Sequence, residues 1–157
     1  MPRKLVTLVV VVLVGVLVAV GVAVAGTRSQ GRDRQTLRFA IKFSPFFLLD
    51  LGELGPSRGD VLIDNDLLLK LNDSGMDVGH DGLACTVTDP SQSEAACQGS
   101  FVLPGGQITV QFLNSPPAVK LGAITGGTGR YRTARGQMKL VEPATGNVGS
   151  VSFSIDH

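Results

Sequence analysis

The stretch AITGGTGRYRTARGQ, residues 123 to 137, sets four glycines and three arginines in fifteen positions, and its reading decides the fold. A phosphate loop needs a lysine and a hydroxyl after its last glycine, because the ammonium and the metal-binding oxygen must both reach phosphate. Here Gly129 is followed by Arg130 and Tyr131. A dinucleotide fingerprint needs G-x-G-x-x-G between a strand and a helix, and neither that spacing nor a following helical pattern is present. What remains is a turn, Gly126-Gly127-Thr128-Gly129, suited to positive backbone dihedrals and leading into a strand. In that strand Ala134 and Gly136 allow a neighbouring backbone to come close. Arg130, Arg132 and Arg135 do not make an anion site on this reading, because strand alternation separates Arg132 from Arg135.

Outward from this turn the chain keeps one texture. Runs such as TLRFAIKF, VLIDNDLLLKL, QITVQFL and VGSVSFSI are strand-length and rich in Val, Ile, Leu, Phe and Thr. Between them lie NDSG, DPSQS, PGG, NSPP and EPATGN, each carrying turn residues. No segment after residue 26 sustains helical periodicity long enough for a βαβ unit. The spacing predicts an all-β domain over residues 36–157, an eight-stranded antiparallel β-barrel, because closure removes the exposed edges of an open sheet. A barrel of that size is either filled by side chains or holds one small ligand, and spacing alone does not choose.

Charge and hydropathy bound the function classes. With 14 basic and 13 acidic side chains the formal net charge is +1, so there is no broad footprint for nucleic acid. Much of the mean hydropathy of +0.26 comes from the charge-free run at residues 5–25, which as a helix would span about 31 Å. Residues 1–25 therefore read as a membrane anchor or as a cleaved signal peptide. The length of the run favours retention, while Arg3 and Lys4 before it and Ala23-Val24-Ala25 at its end suit cleavage. Both readings send the domain out of the cytoplasm, secreted or membrane-anchored. Membrane contact is then confined to this N-terminal helix, and residues 26–35 form a flexible tether. Cys85 and Cys97 flank the turn-rich DPSQS, and two strands joined there would bring the sulfurs together. The alternatives are two ordinary buried thiols or a zinc site, the last without a CxxC or His cluster to support it.

The glycine stretch also resembles the dirigent and allene oxide cyclase-like barrel superfamily, in which a strand-turn-strand unit reads approximately G-G-T-G-x-[FY]-x-x-A-x-G. Gly126, Gly127, Thr128, Gly129, Tyr131, Ala134 and Gly136 match. Upstream, GDVLIDNDLLL followed by Val78-Gly79 and Gly82 looks like that family's acidic strand and second glycine-marked strand, and FVLPGGQITVQF like its central hairpin. The likeness runs from about Gly59 to the carboxyl terminus, with TLRFAIKF matched by position only. An exported chain with two cysteines looks more like the small bacterial members than the plant enzymes. The resemblance implies an eight-stranded barrel, often a homotrimer, whose mouth accepts a hydrophobic small molecule. Members steer radical coupling, cyclise an unsaturated epoxide or close rings, with pocket shape as the main catalyst and no cofactor.

Asp64 and Asp66 share a strand face with Leu62 and Leu68, while Val61, Ile63, Leu67 and Leu69 take the other. The resemblance puts a pocket carboxylate near here, making both aspartates candidate catalytic acids; the competing reading leaves them solvated on the outer wall. His80 stands where dirigent relatives usually carry arginine, a candidate ligand contact whose charge depends on pH. Tyr131, the only tyrosine, is a candidate for the mouth, with core packing as the alternative. No metal site is expected. Asn72-Asp73-Ser74 fits a glycosylation pattern and reads first as a turn. The rival to a cyclising or coupling barrel is the same barrel used as a ligand carrier or as an envelope interaction module.

Overall fold

Residues 81, 83, 85 and 87, an aspartate, a leucine, a cysteine and a valine, are buried, while Gly82, Ala84, Thr86 and Thr88 between them are exposed. This strict period of two makes one long strand, β5 (Asp77–Asp89), with one face in a core and one in water. The same logic runs through the chain in the computed structural model, which describes residues 34–71 and 75–156. Before β5 come β1 (Arg34–Lys42), β2 (Phe47–Leu49), β3 (Val61–Asp64) and β4 (Leu67–Leu69). After it come β6 (Glu94–Leu103), β7 (Gly106–Asn114), β8 (Val119–Gly127), β9 (Arg135–Val141) and β10 (Val148–Asp156).

All the pairings are antiparallel. From β5 the meander runs through β6, β7, β8, β9 and β10 to β1, each strand bonded to the next. Closure comes from β3 and β4, which both pair with β5, one against Leu83–Thr86 and the other against Asp77–His80. On their far side β4 pairs with β1 and β3 with β2. β1 with β2, and β3 with β4, are therefore two interrupted staves, and the ten strands close an eight-stranded barrel. Strand β1 begins at Arg34, two residues inside the stretch expected as tether, because Arg34 and Gln35 extend the ladder against Asp156 and Ile155. The apolar run at residues 5–25, expected as a helix, the rest of the tether and the Asn72-Asp73-Ser74 turn lie outside the described residues. Among the described residues no helix is long and apolar enough to cross a membrane.

The glycine stretch is the corner of the barrel. It ends β8, makes a single 3-10 turn over Gly129–Tyr131 and starts β9. Gly136 has φ +135°, and a Cβ there would collide with the Ser154 carbonyl of β10, so the close approach requires glycine. Below the corner the bore is full. Phe101, Phe153, Ile41, Leu68, Ile108 and Met138 are completely buried, and the Phe153 ring stands edge-on to Phe101 at 5.0 Å. Each such side chain contributes roughly 1.5 to 3 kcal/mol by leaving water, so this half of the barrel holds the fold together. Cys85 and Cys97 sit directly opposite on β5 and β6 and are bridged, both facing inward.

Candidate functional site

At the other end the bore opens. A cavity of about 590 Å³ is lined by apolar side chains from several staves, Phe43, Phe46, Leu62, Leu83, Phe112 and Leu140 among them. Cys85 of the disulfide is part of its wall. The side chains on it that could hydrogen-bond a guest are Ser44, Asp64, Asp66, Asn114, Glu142 and Asn147.

The two aspartates reach the cavity because the stave carrying them breaks. Between β3 and β4 the chain leaves the ladder at Asn65 and Asp66, and a side chain takes over the missing pairing. The Asp66 N–H donates to Asp81 Oδ1 at 2.7 Å, the Asp81 N–H donates to the Asp66 carbonyl at 3.0 Å, and Asn65 Nδ2 donates to the Asp81 carbonyl at 2.5 Å. β1 and β2 are broken at the same level, which frees the Ser44 N–H to donate to Asp66 Oδ1 at 2.7 Å. Asp66 is 3% exposed and Asp81 is fully buried, while Asp64 is half-buried. Asp81 Oδ2 is buried with no hydrogen-bond partner.

Asp64 and Asp66 thus line the cavity with Asp81 buried behind them, and burial governs the protonation of all three. Removal from water pushes Asp81 up to about 7; the Asp66 N–H works against that shift, and the charges of Asp66 and Asp64 add to it. Asp64 is raised by burial and then by the neighbouring Asp66. Asp66 is raised by burial, partly offset by the Ser44 N–H. Asp64 and Asp66, the two that face the cavity, thus hold their protons more firmly than an ordinary surface aspartate, which suits them to give or take a proton beside a guest. Among the described residues no three His, Cys, Asp or Glu side chains converge so as to hold a metal ion.

The four candidates from the sequence separate. Asp64 and Asp66 are together on the cavity wall, on the face they share with Leu62 and Leu68. His80 is exposed on the outside of β5, between Leu67 of β4 and Val102 of β6, and does not line the cavity. Tyr131 is buried at the opposite, closed end, where its hydroxyl donates to the Pro104 carbonyl at 3.2 Å and the Arg130 guanidinium lies 5.5 Å from its ring centre. It plugs that end and does not reach the mouth. Asp81 was missed, although one signal for it was present: in DGLACTV it holds the same parity as Leu83, Cys85 and Val87.

No family model and no curated protein matches the chain. Solved structures do. A pyocyanin demethylase superposes with a TM-score of 0.65 at 28% identity, over 77% of this chain and 99% of that one. The pterocarpan synthase dirigent protein GePTS1 gives 0.62 at 19% identity, over 78% and 85%. The Diels-Alderase AbmU from Streptomyces koyangensis gives 0.59 at 12% identity, over 82% and 71%. Taken with the closed meander and the glycine-marked corner, these likenesses show that the chain has the barrel fold that these three proteins share.

Proposed function

We propose that the barrel takes a hydrophobic small molecule into its mouth cavity and guides the cyclisation or coupling of that molecule. One observation carries the reading: apolar walls enclose Asp64 and Asp66 above a bore that is otherwise packed solid. Shape supplies most of the effect, by holding a flexible guest near its reactive conformation. Asp66, fixed by the Ser44 N–H, and the freer Asp64 serve as proton donor and acceptor. Neighbours of the same fold are a pterocarpan synthase dirigent protein and a Diels-Alderase, which supports the class of reaction. No cofactor is part of this proposal.

The same proposal places the barrel outside the cytoplasm, supported by the disulfide and by the apolar run at residues 5–25. It also includes a homotrimer. The outward residues of β6 to β8 beyond Glu94, from Ala96 to Thr125, carry no charge, an uncommon stretch for a wall meant to face water. Native mass spectrometry of protein recovered from its source tests the reading, with a retained apolar small molecule expected. The variant Asp64→Asn/Asp66→Asn, given that molecule or its precursor at saturating concentration, should lose turnover. Unchanged product formation removes the carboxyls from the mechanism, and an empty, inert protein favours the structural rival.

A further inference from the structure

The mouth cavity carries an unbalanced charge. Phe43, Phe46 and Phe112 present aromatic rings to it, and Asp64, Asp66 and Glu142 present carboxyls. Among the described residues the one cation paired with any of these is Lys120, and it is occupied. Its Nζ donates to the Ser115 and Pro117 carbonyls at 2.6 and 2.8 Å and lies 3.4 Å from Glu142 Oε2. Asp64 and Asp66 have no ion-pair partner among the described residues. Behind them Asp81 keeps one carboxyl oxygen buried and unpartnered. Carboxyls held among apolar groups with no counter-charge are costly for the empty protein, and a positive guest would compensate them. Rings beside carboxyls are the combination that recognises an alkylated or protonated nitrogen, the ring faces attracting the cation and the acids neutralising it.

We propose that the cavity selects apolar molecules bearing a positive charge, protonated amines or N-alkylated heteroaromatic rings, over their neutral and anionic isosteres. The inference rests on the reading of this cavity as a small-molecule site. Binding has a proton balance. A carboxyl protonated in the free protein ionises as the cation arrives and gives its proton to solvent, so each conversion releases one proton. The titratable groups facing the guest are Asp64 and Asp66, with Asp81 behind them on β5 and Glu142, paired to Lys120, across the rim. The β1–β2 connection and β7 contribute only uncharged side chains to the lining: Phe43, Ser44, Pro45 and Phe46 from one, Phe112 and Asn114 from the other. Cation affinity therefore rises with pH as Asp81, pushed up to about 7, loses its proton behind the wall and adds its charge to that of the aspartates in front.

Three fluorescent tricyclic probes of matched shape test this on the full chain: 10-methylacridinium, acridine, neutral at pH 8, and 9-anthracenecarboxylate. At pH 8 the cation is expected to bind about tenfold or more tighter than acridine, and the anion weakest, as a near-contact charge pair in a partly buried site requires. Cation affinity should fall several-fold between pH 8 and pH 5, and in Asp64→Asn/Asp66→Asn the preference over acridine should collapse. The pH series uses wild-type protein, so it stands even where the variant does not fold. Equal binding of cation and neutral probe, or a pH-independent cation affinity, overturns the charge inference and leaves the hydrophobic-cavity reading intact. Failure of every probe to bind overturns both.

Discussion

Replacing Asp81 with Asn removes a buried acid and keeps an oxygen to accept the Asp66 N–H, and its effect on stability should depend on pH in a calculable way. The folded carboxyl holds its proton up to about 7, whereas in the unfolded chain it ionises at its ordinary 3.8. Below 3.8 both states are protonated and the group is neutral to folding. As pH rises from about 4 to 7 the unfolded state ionises first, and stability falls by about 1.4 kcal/mol per pH unit, which over about three units approaches 4 kcal/mol. Above 7 both states are charged and the loss is complete. The Asn side chain leaves its amide without a ready partner, a constant cost of roughly 1 to 3 kcal/mol that does not vary with pH. The informative quantity is therefore the difference between the variant and wild type at each pH. Urea unfolding followed by far-UV circular dichroism from pH 4 to pH 8 should show the variant gaining on wild type by about 4 kcal/mol across that interval. Asp64 and Asp66 are shifted upward too, so wild type declines at least this steeply. Parallel curves for the two proteins would refute the account of Asp81 as a desolvated, late-ionising acid.

Other parts of the barrel give separate expectations. Removing the β5–β6 bridge with Cys85→Ala/Cys97→Ala should cost roughly 2 to 4 kcal/mol by freeing the unfolded chain, read as a lower urea midpoint. Gly136→Ala forces a side chain to φ +135° against the Ser154 carbonyl and should lower stability by roughly 1 to 3 kcal/mol, visible as a drop in Tm. Asp60 accepts from the Leu51 N–H at 2.9 Å and the Ser57 N–H at 2.6 Å, which hold its carboxyl below the usual carboxylate range. Its contribution is therefore present above the unfolded value of 3.8 and lost as pH falls through the lower folded value. In Asp60→Ala, hydrogen exchange should quicken at Leu51 and Ser57 while the β7 to β10 amides keep their protection.

How far these features could be read in advance depends on the range of the interaction behind each. Alternation is local, so DGLACTV and VGSVSFSI announced their buried faces, and the turn clusters marked the strand ends. The parity that buries Leu83 and Cys85 also puts His80 outside, but Gly79 and Gly82 thin the pattern there and hid it. Tyr131 sits in a 3-10 turn, where strand parity says nothing about direction. The break between β3 and β4 was not legible, because VLIDNDLLLKL looks like one continuous strand. What interrupts it is the Asp81 side chain, fifteen residues away, capturing the Asp66 N–H. The cavity was illegible for the same reason, since Phe43, Phe112 and Glu142 meet only after the barrel has closed.

That separation in space also explains how the fold tolerates its own mouth. Three raised aspartates oppose folding at neutral pH, and the Ser44 and Asp66 N–H donors beside them offset only part of that. The compensation lies below, where Phe101, Phe153, Met138 and Ile108 fill the bore, and alongside, in the disulfide. Because the strands run from one end to the other, stability gained at the closed end helps to keep the open end in register. On this view enlarging a residue such as Phe101 or Met138 would disturb stability first and the cavity second. Neutralising Asp81 would strengthen the barrel at neutral pH while leaving Asp64 and Asp66, the carboxyls that make the mouth chemically unlike an ordinary apolar cleft, in place.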